Sequence, residues 1–330
     1  MVAHDKHRLN GFALAILGTL LFGTKGIVMK LAFQAGGTVD QMLALRMGMS
    51  LPVYLFIGWR AARIQCHSGK ARAWIFAGLL GILSYHICSW LDFQGLRYIS
   101  AQLDRLIMFV YPTFVAIFAF LFLGDRFSFR HIAALALSYL GIFILFGREF
   151  SHQGPEALKG SLLVLTAATL FAVYFTASKP VISRLGSALF TSIAMSCAAV
   201  TILVQFTLTS AIQGVADFSL PIIGYGALLA VVCTILPSFM LSEAIGRLGP
   251  GPTSAVGNVG PVGTSILAVF LLGESFGWPH LLAVLLTSAG IGLLSSARKQ
   301  VSPPTGRLTT PPEEAAKPAV MKSEQDQQNT

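Results

Sequence analysis

Residues 121–127 read LFLGDRF and residues 271–276 read LLGESF. An apolar run ending in Leu-Gly-acid-x-Phe thus occurs twice, with Gly124 and Gly273 149 positions apart. The same offset, taken without a gap, pairs Leu9 with Leu158, Gly11 with Gly160, Leu21 and Phe22 with Leu170 and Phe171, and Lys30 with Lys179. It continues through Pro112 and Pro261, Ala119 and Ala268, Phe127 and Phe276, His131 and His280, and Gly141 and Gly290. Leu and Gly coincide often in so apolar a chain, but Pro, His, Lys and an acid after Gly do not. The chain reads as one unit written twice.

With 54% hydrophobic and 11% charged residues and a mean hydropathy of +0.71, the chain lies far from the roughly 25% charge of soluble domains. It reads as an all-α integral membrane protein. Apolar stretches fall at 11–31, 41–59, 73–91, 102–123, 131–147, 160–178, 187–209, 221–241, 252–272 and 279–296, which makes ten transmembrane helices. Each is near the roughly 20 residues that a helix needs to cross about 30 Å of hydrocarbon. The basic HDKHR before GFALAILGTLLFGTKG also suits a signal peptide, but no small-x-small cleavage site stands out and nine more spans follow. From Val301 the chain is rich in Pro, Thr, Glu, Gln and Lys, the composition of a disordered tail.

Basic residues resist translocation, so their distribution orients the spans. With the N-terminus inside, sixteen Lys and Arg fall on the inner side, five of them after the tenth span. Arg97, Arg105, Arg148 and Lys159 fall outside. Both termini are therefore expected in the cytoplasm, in a multi-pass protein of the cell (inner) membrane. The formal charge of +9 is mostly this topology signal; no basic stripe or aromatic platform suggests nucleic-acid binding.

Each repeat holds five spans, an odd number, so the second copy enters the membrane from the opposite side. LGDRF and LGESF are then one structural corner on opposite faces. In each, a Gly ends the helix and Asp125 or Glu274 meets water. The organisation expected is a first repeat over 1–149, a second over 150–300 and the tail over 301–330.

Inverted repeats are an architecture of secondary transporters. LRYISAQLDRLIMFVYPTFVAIFAFLFLGDRFS and IGRLGPGPTSAVGNVGPVGTSILAVFLLGESF, in two five-helix halves, resemble EamA-type members of the drug/metabolite transporter superfamily. The resemblance covers residues 9–297. It implies helices around a central cavity lined by spans 1, 3, 4, 6, 8 and 9, alternating access, and a small-molecule solute, often exported. The chain is thus expected to move a small organic metabolite, amino acid-like or drug-like. A lipid or headgroup flippase, or a non-transporting membrane partner, could share the fold.

Ionisable groups inside spans are costly and face a cavity or one another. Lys25 and Lys30 lie in span 1, Arg46 in span 2, His86 in span 3, and Asp104 and Arg105 at the start of span 4. Lys30, Asp104 and Arg105 are near enough to the outer boundary to snorkel. Lys25 and Arg46, roughly 9 Å below it at 1.5 Å per residue, are candidates for an anionic group of the solute. Alternatively they pair with Asp104 or Asp40, since a buried charge needs a partner. His86, beside Tyr85 and one turn from Trp90, is the candidate carrier of a coupling proton, because histidine titrates near neutrality; a plain hydrogen bond to a neighbouring helix is the alternative. Trp90 also suits an aromatic belt, and Tyr174 in span 6 completes the aromatic candidates.

LGPGPTSAVGNVGPVG (248–263) is the least helix-like stretch within the membrane. It reads either as an interrupted helix that offers Asn258 and backbone dipoles to a solute, or as close packing of small residues. Pro112 and Pro261 occupy equivalent places and are candidate matched hinges. Cys66, Cys88, Cys197 and Cys233 have no metal spacing, and no phosphate-binding Gly-x-x-x-x-Gly-Lys-Ser/Thr is present. No cofactor or metal is implied, and the scattered His and acids form no enzyme motif. An ion gradient or the solute's own gradient is left to supply the energy.

Overall fold

A computed structural model describes residues 2–64, 71–108, 110–123, 129–213, 218–250, 252–253, 259–273 and 277–301, and among them every regular element is a helix. The first half runs α1 (Val2–Gly23), α2 (Lys25–Gln34), α3 (Val39–Ile64), α4 (Ala71–Gly81), a π-helical stretch Ile82–Cys88, α5 (Ser89–Gly95), α6 (Ala101–Met108), α7 (Tyr111–Leu123) and α8 (Phe129–Gln153). The second runs α9 (Pro155–Leu185), α10 (Ser187–Gln213), α11 (Leu220–Ala230), a π-helical stretch Val231–Ile235, α12 (Leu236–Leu248), α13 (Val259–Leu272) and α14 (Trp278–Val301).

The offset of 149 carries α3, α4, α5, α7 and α8 onto α10, α11, α12, α13 and α14, whereas the single helix α9 stands where the first half has α1 and α2. Even the π-helical stretches start at equivalent residues, Ile82 and Val231. In the second half the wide turn precedes Pro237, which has no N–H to donate and crowds the preceding turn. In the first half Cys88 stands at that place and the wide turn persists.

Packing between the halves is reciprocal. α1 lies on α12 as α9 lies on α5, α4 on α10 as α11 on α3, and α7 on α9 as α13 on α1. The equivalent pairs α3 with α10 and α8 with α14 pack on each other. That is the pattern of a pseudo-two-fold relation. Small residues set the closest approaches: a Cβ on Gly81 would overlap the backbone carbonyl of Ala194, and one on Gly95 would lie 2.8 Å from the Gly160 carbonyl oxygen. Small residues permit such backbone contact between helices in lipid.

Among the described residues, six helical segments are long and apolar enough to cross a membrane: Leu9–Gln34, Val39–Arg63, Ala71–Gly95, Pro155–Leu185, Ser187–Ile212 and Leu220–Leu248. They are the first three of each half. Leu55 and Val204, Trp59 and Leu208, and Leu79 and Leu228 are equivalent pairs that all point outward, as a lipid-facing surface requires.

Two expected spans are built from two helices. The first is broken at Thr24, between α1 and α2, where the Thr24 hydroxyl donates to the Leu21 carbonyl at 2.7 Å. The fourth is divided between α6 and α7. Gly273 closes α13 with φ +65°, a conformation that favours glycine, as expected at the LLGESF corner. Gly124, Asp125 and Glu274 lie outside the described residues. So do Cys66, Asn258 and 302–330.

Candidate functional site

The break in the first span sets the site. Lys25 is the first residue of α2. Its Nζ lies 2.6 Å from Asp92 Oδ2 on α5, both side chains 2% exposed. The Phe22 and Phe93 rings lie 4.8 and 5.2 Å from the ammonium, a contact that also favours a cation. Arg46 on α3 is fully buried. Its Nε donates to Thr234 Oγ1 at 2.7 Å, and its guanidinium lies 5.5 Å from the Phe93 ring. Nη1 and Nη2 of Arg46 meet no acceptor among the described residues. Thr234 belongs to the second π-helical stretch and itself donates to the Leu229 carbonyl at 2.7 Å.

Asp104 and Arg105, on α6, are buried rather than snorkelling. The α1 break frees carbonyls at that helix's negative end, and a cation belongs there. Arg105 Nη2 accordingly donates to the carbonyls of Gly23, at 3.0 Å, and Phe22, at 3.4 Å. Thr264 on α13 also donates to Gly23, at 3.4 Å. Asp104 stands beside Asp92, Arg105 and Lys25, and a Cβ on Gly26 would lie 3.5 Å from its Oδ2.

Next to this cluster is a narrow cleft lined by Thr19, Phe22, Arg105, Tyr111, Phe171 and Phe175, with Met108 and Leu241. Phe22 and Phe171, equivalent residues, stack across the two halves with centroids 6.0 Å apart. Tyr111 closes on Phe171 and Phe175 at 5.0 and 5.2 Å. The cleft thus lies between the halves, mostly apolar and aromatic with Arg105 as its charged member, a lining suited to a small organic molecule with one anionic group.

Lys25, Arg46, Asp104 and Arg105 are therefore brought together. The partner of Lys25 is Asp92, not the Asp104 or Asp40 anticipated from sequence. Asp92 was passed over because the third apolar stretch ends at 91, whereas the helix continues to Gly95. The unmatched charge of Lys25 was the available signal for such an acid.

Tyr85 meets Tyr174 edge to face at 5.6 Å, close to Arg46. His86 and Trp90 belong to another network. His86 Nδ1 is 2.9 Å from Thr201 Oγ1 and its Nε2 is 2.5 Å from Gln205 Oε1. Asp40 Oδ1 accepts from Gln205 Nε2 at 3.4 Å and from Trp90 Nε1 at 3.3 Å. Pro112 is the second residue of α7 and Pro261 the third of α13. Pro112 stands in a first turn, where proline starts a helix rather than kinking one. Among the described residues no three His, Cys, Asp or Glu gather as a metal site.

Residues 9–147 and 158–296 each match the EamA-like transporter family, and the two matches begin and end at equivalent positions of the repeat. YcbK of Bacillus subtilis (strain 168), named as an uncharacterized transporter, is 27% identical over 274 residues, which are 81% of this chain and 86% of that protein. YcxC of the same organism, also named as an uncharacterized transporter, is 25% identical over 303 residues, 88% of this chain and 94% of that one. A solved crystal structure shares the fold with a TM-score of 0.63 at 17% identity, over 88% of this chain and 99% of that one. With both halves matched in register, the chain belongs to the EamA-like transporter family.

Proposed function

We propose that the chain is a secondary active transporter that moves a small organic metabolite, amino acid-like or drug-like, across the inner membrane by alternating access, in the direction of export. In this reading ten spans form two inverted five-helix repeats, over 1–149 and 150–300, with both termini cytoplasmic. The excess of basic residues on the inner loops supports the orientation, and the reciprocal packing supports an exchange of roles between the halves.

The observation that carries the substrate class is Arg46, whose Nη1 and Nη2 are buried without an acceptor among the described residues. A buried guanidinium with open donors fits a carboxylate or a similar anion. Lys25 is already held by Asp92, so its role is to brace the site. Arg105 presents the charge at the cleft, and the aromatic wall takes the solute's apolar part. Opening of the joints at Thr24 and between α6 and α7, with Pro112 and Pro261 as matched hinges, gives the solute a way to the buried charge.

The test compares, by untargeted mass spectrometry, the medium around cells that overproduce the wild-type chain with that around cells holding equal membrane levels of Arg46→Met. Methionine is the residue at the equivalent place, Met195. A metabolite enriched outside only with wild type is expected. Equal enrichment by both proteins removes Arg46 from the site, and no enrichment by either counts against export.

A further inference from the structure

Once Lys25 and Arg105 are matched with their partners, one carboxylate is left over. Asp104 is 1% exposed, and neither of its oxygens meets a donor among the described residues. The groups facing it are Asp92, Arg105 and Lys25. Lys25 spends its contact on Asp92 Oδ2, and Arg105 Nη2 donates to the α1 carbonyls. Cys88, the other titratable group near both acids, gives its hydrogen to the Ala167 carbonyl at 3.2 Å. Arg46 also acts on Asp92. Asp92 Oδ1 is likewise without a donor.

Asp104 and Asp92 therefore stand together with three carboxylate oxygens that meet no donor among the described residues. An ionised carboxylate shut away from water and from donors is strongly disfavoured, and two side by side cannot both keep their charge. One proton resolves the arrangement. Asp104 as a carboxylic acid donates to Asp92, and Asp92 remains an anion against Lys25.

We infer that Asp104 and Asp92 form a proton-binding site, with one exchangeable proton between the two carboxyl groups. A metal cation suits the place less well, because Lys25 and Arg105 stand beside it. The route for exchange is the neighbour in sequence. Arg105 is held away by the carbonyls at the α1 break and also lines the cleft, so movement of that joint brings its charge to Asp104 and expels the proton.

The charge sum gives the sign of the linkage. Lys25, Arg46 and Arg105 against Asp92 and a protonated Asp104 leave two positive charges, and loss of the proton leaves one. A bound proton and a bound anion therefore favour each other. Only this coupling role rests on the transport reading; the proton site does not.

The test is the infrared spectrum of the purified full chain in liposomes, in the region of the protonated carboxyl stretch. The pH is neutral, where exposed carboxylates are ionised. Wild type is expected to show one protonated carboxyl group per chain. Asp104→Asn should lose it, Asp104→Glu should keep a shifted band, and Asp40→Asn should leave it unchanged. A wild-type spectrum without the band overturns the inference even if Asp104→Asn fails to insert. So does a band that survives in Asp104→Asn, or carboxylate bands that move when sodium chloride replaces choline chloride. For a metabolite found by the medium comparison, wild-type export is expected to change with external pH and Asp104→Asn export is not. If no metabolite emerges, the export reading fails while the infrared result still decides the proton site.

Discussion

Lys25, Arg46, Asp92 and Asp104 in the first half stand where the second half has Tyr174, Met195, Leu241 and Thr253. Both halves carry a π-helical stretch that starts at an equivalent residue, and their helices pack reciprocally, so the charges are not what the shared fold requires. The second half answers with neutral groups. Thr234 accepts from Arg46, and Phe171 and Phe175 supply a wall of the cleft. Its own ionic contacts lie elsewhere: Glu243 pairs with Arg247 at 2.7 Å, and Lys179 donates to the carbonyl of Ile245 at 3.2 Å. The difference teaches that helix packing is shared while the charges are not; under the proposed function two rocking halves need like mechanics, whereas a solute with one charged end needs one charged wall.

Making the halves alike at Asp92 breaks this comparison most severely. Asp92→Leu copies Leu241 and leaves Lys25 buried without its carboxylate, an expected loss of about 3–5 kcal/mol, read as the thermal unfolding of detergent-purified protein. Lys25→Met combined with Asp92→Leu should recover most of that loss, because an apolar pair of similar volume often replaces a buried ion pair without penalty. The double variant is expected to export nothing. If the single variant is as stable as wild type, the ion pair is not the brace of the α1–α2 joint.

A second break concerns the backbone. Gly81→Ala copies Ala230, but at Gly81 the helices are close enough for the new methyl to meet the Ala194 carbonyl. Overpacking of this kind costs about 1–3 kcal/mol. Leu45, the equivalent of Ala194, lies instead against Gly226 of α11, where an added Cβ would be 2.7 Å from the Leu45 Cβ, so the halves divide the volume differently across α3 and α10. A thermal shift near zero for Gly81→Ala would mean that α4 and α10 can separate freely there.

Much of this was legible before any coordinate. The offset of 149 announced the repeat, and hydropathy alone located the six segments found long and apolar enough to cross a membrane among the described residues, because lipid demands long apolar helices whatever their partners. Lys25, Arg46, Asp104 and Arg105 stood out since charges in such segments are rare. Three things were not legible. The break at Thr24 has only Gly23 as a local signal, and it decides where Arg105 goes. Asp92 stood just past an apolar window, and hydropathy ends a span where the polarity begins rather than where the helix stops. The separation of His86 from Lys25 depends on which faces α3, α5 and α10 present to one another, and periodicity on one helix cannot tell which neighbour a face will meet.

His86 gives the smallest and most discriminating contrast with the second half, where Ile235 stands in its place. The ring is hydrogen-bonded to Thr201 and Gln205 on α10 and takes no part in the Lys25–Asp92–Asp104–Arg105 cluster. It is only half-buried, so its partners keep access to other polar groups when the ring is removed. His86→Ile is expected to cost about 1 kcal/mol, the net worth of a typical hydrogen bond, seen as a small fall in thermal stability. Export should persist with its pH dependence intact, since the titrating group of the cluster is Asp104. The opposite outcome, export that continues but no longer responds to external pH, would move the coupling proton to the His86–Gln205–Asp40 network. The two halves would then differ in their proton path as well as in their solute wall.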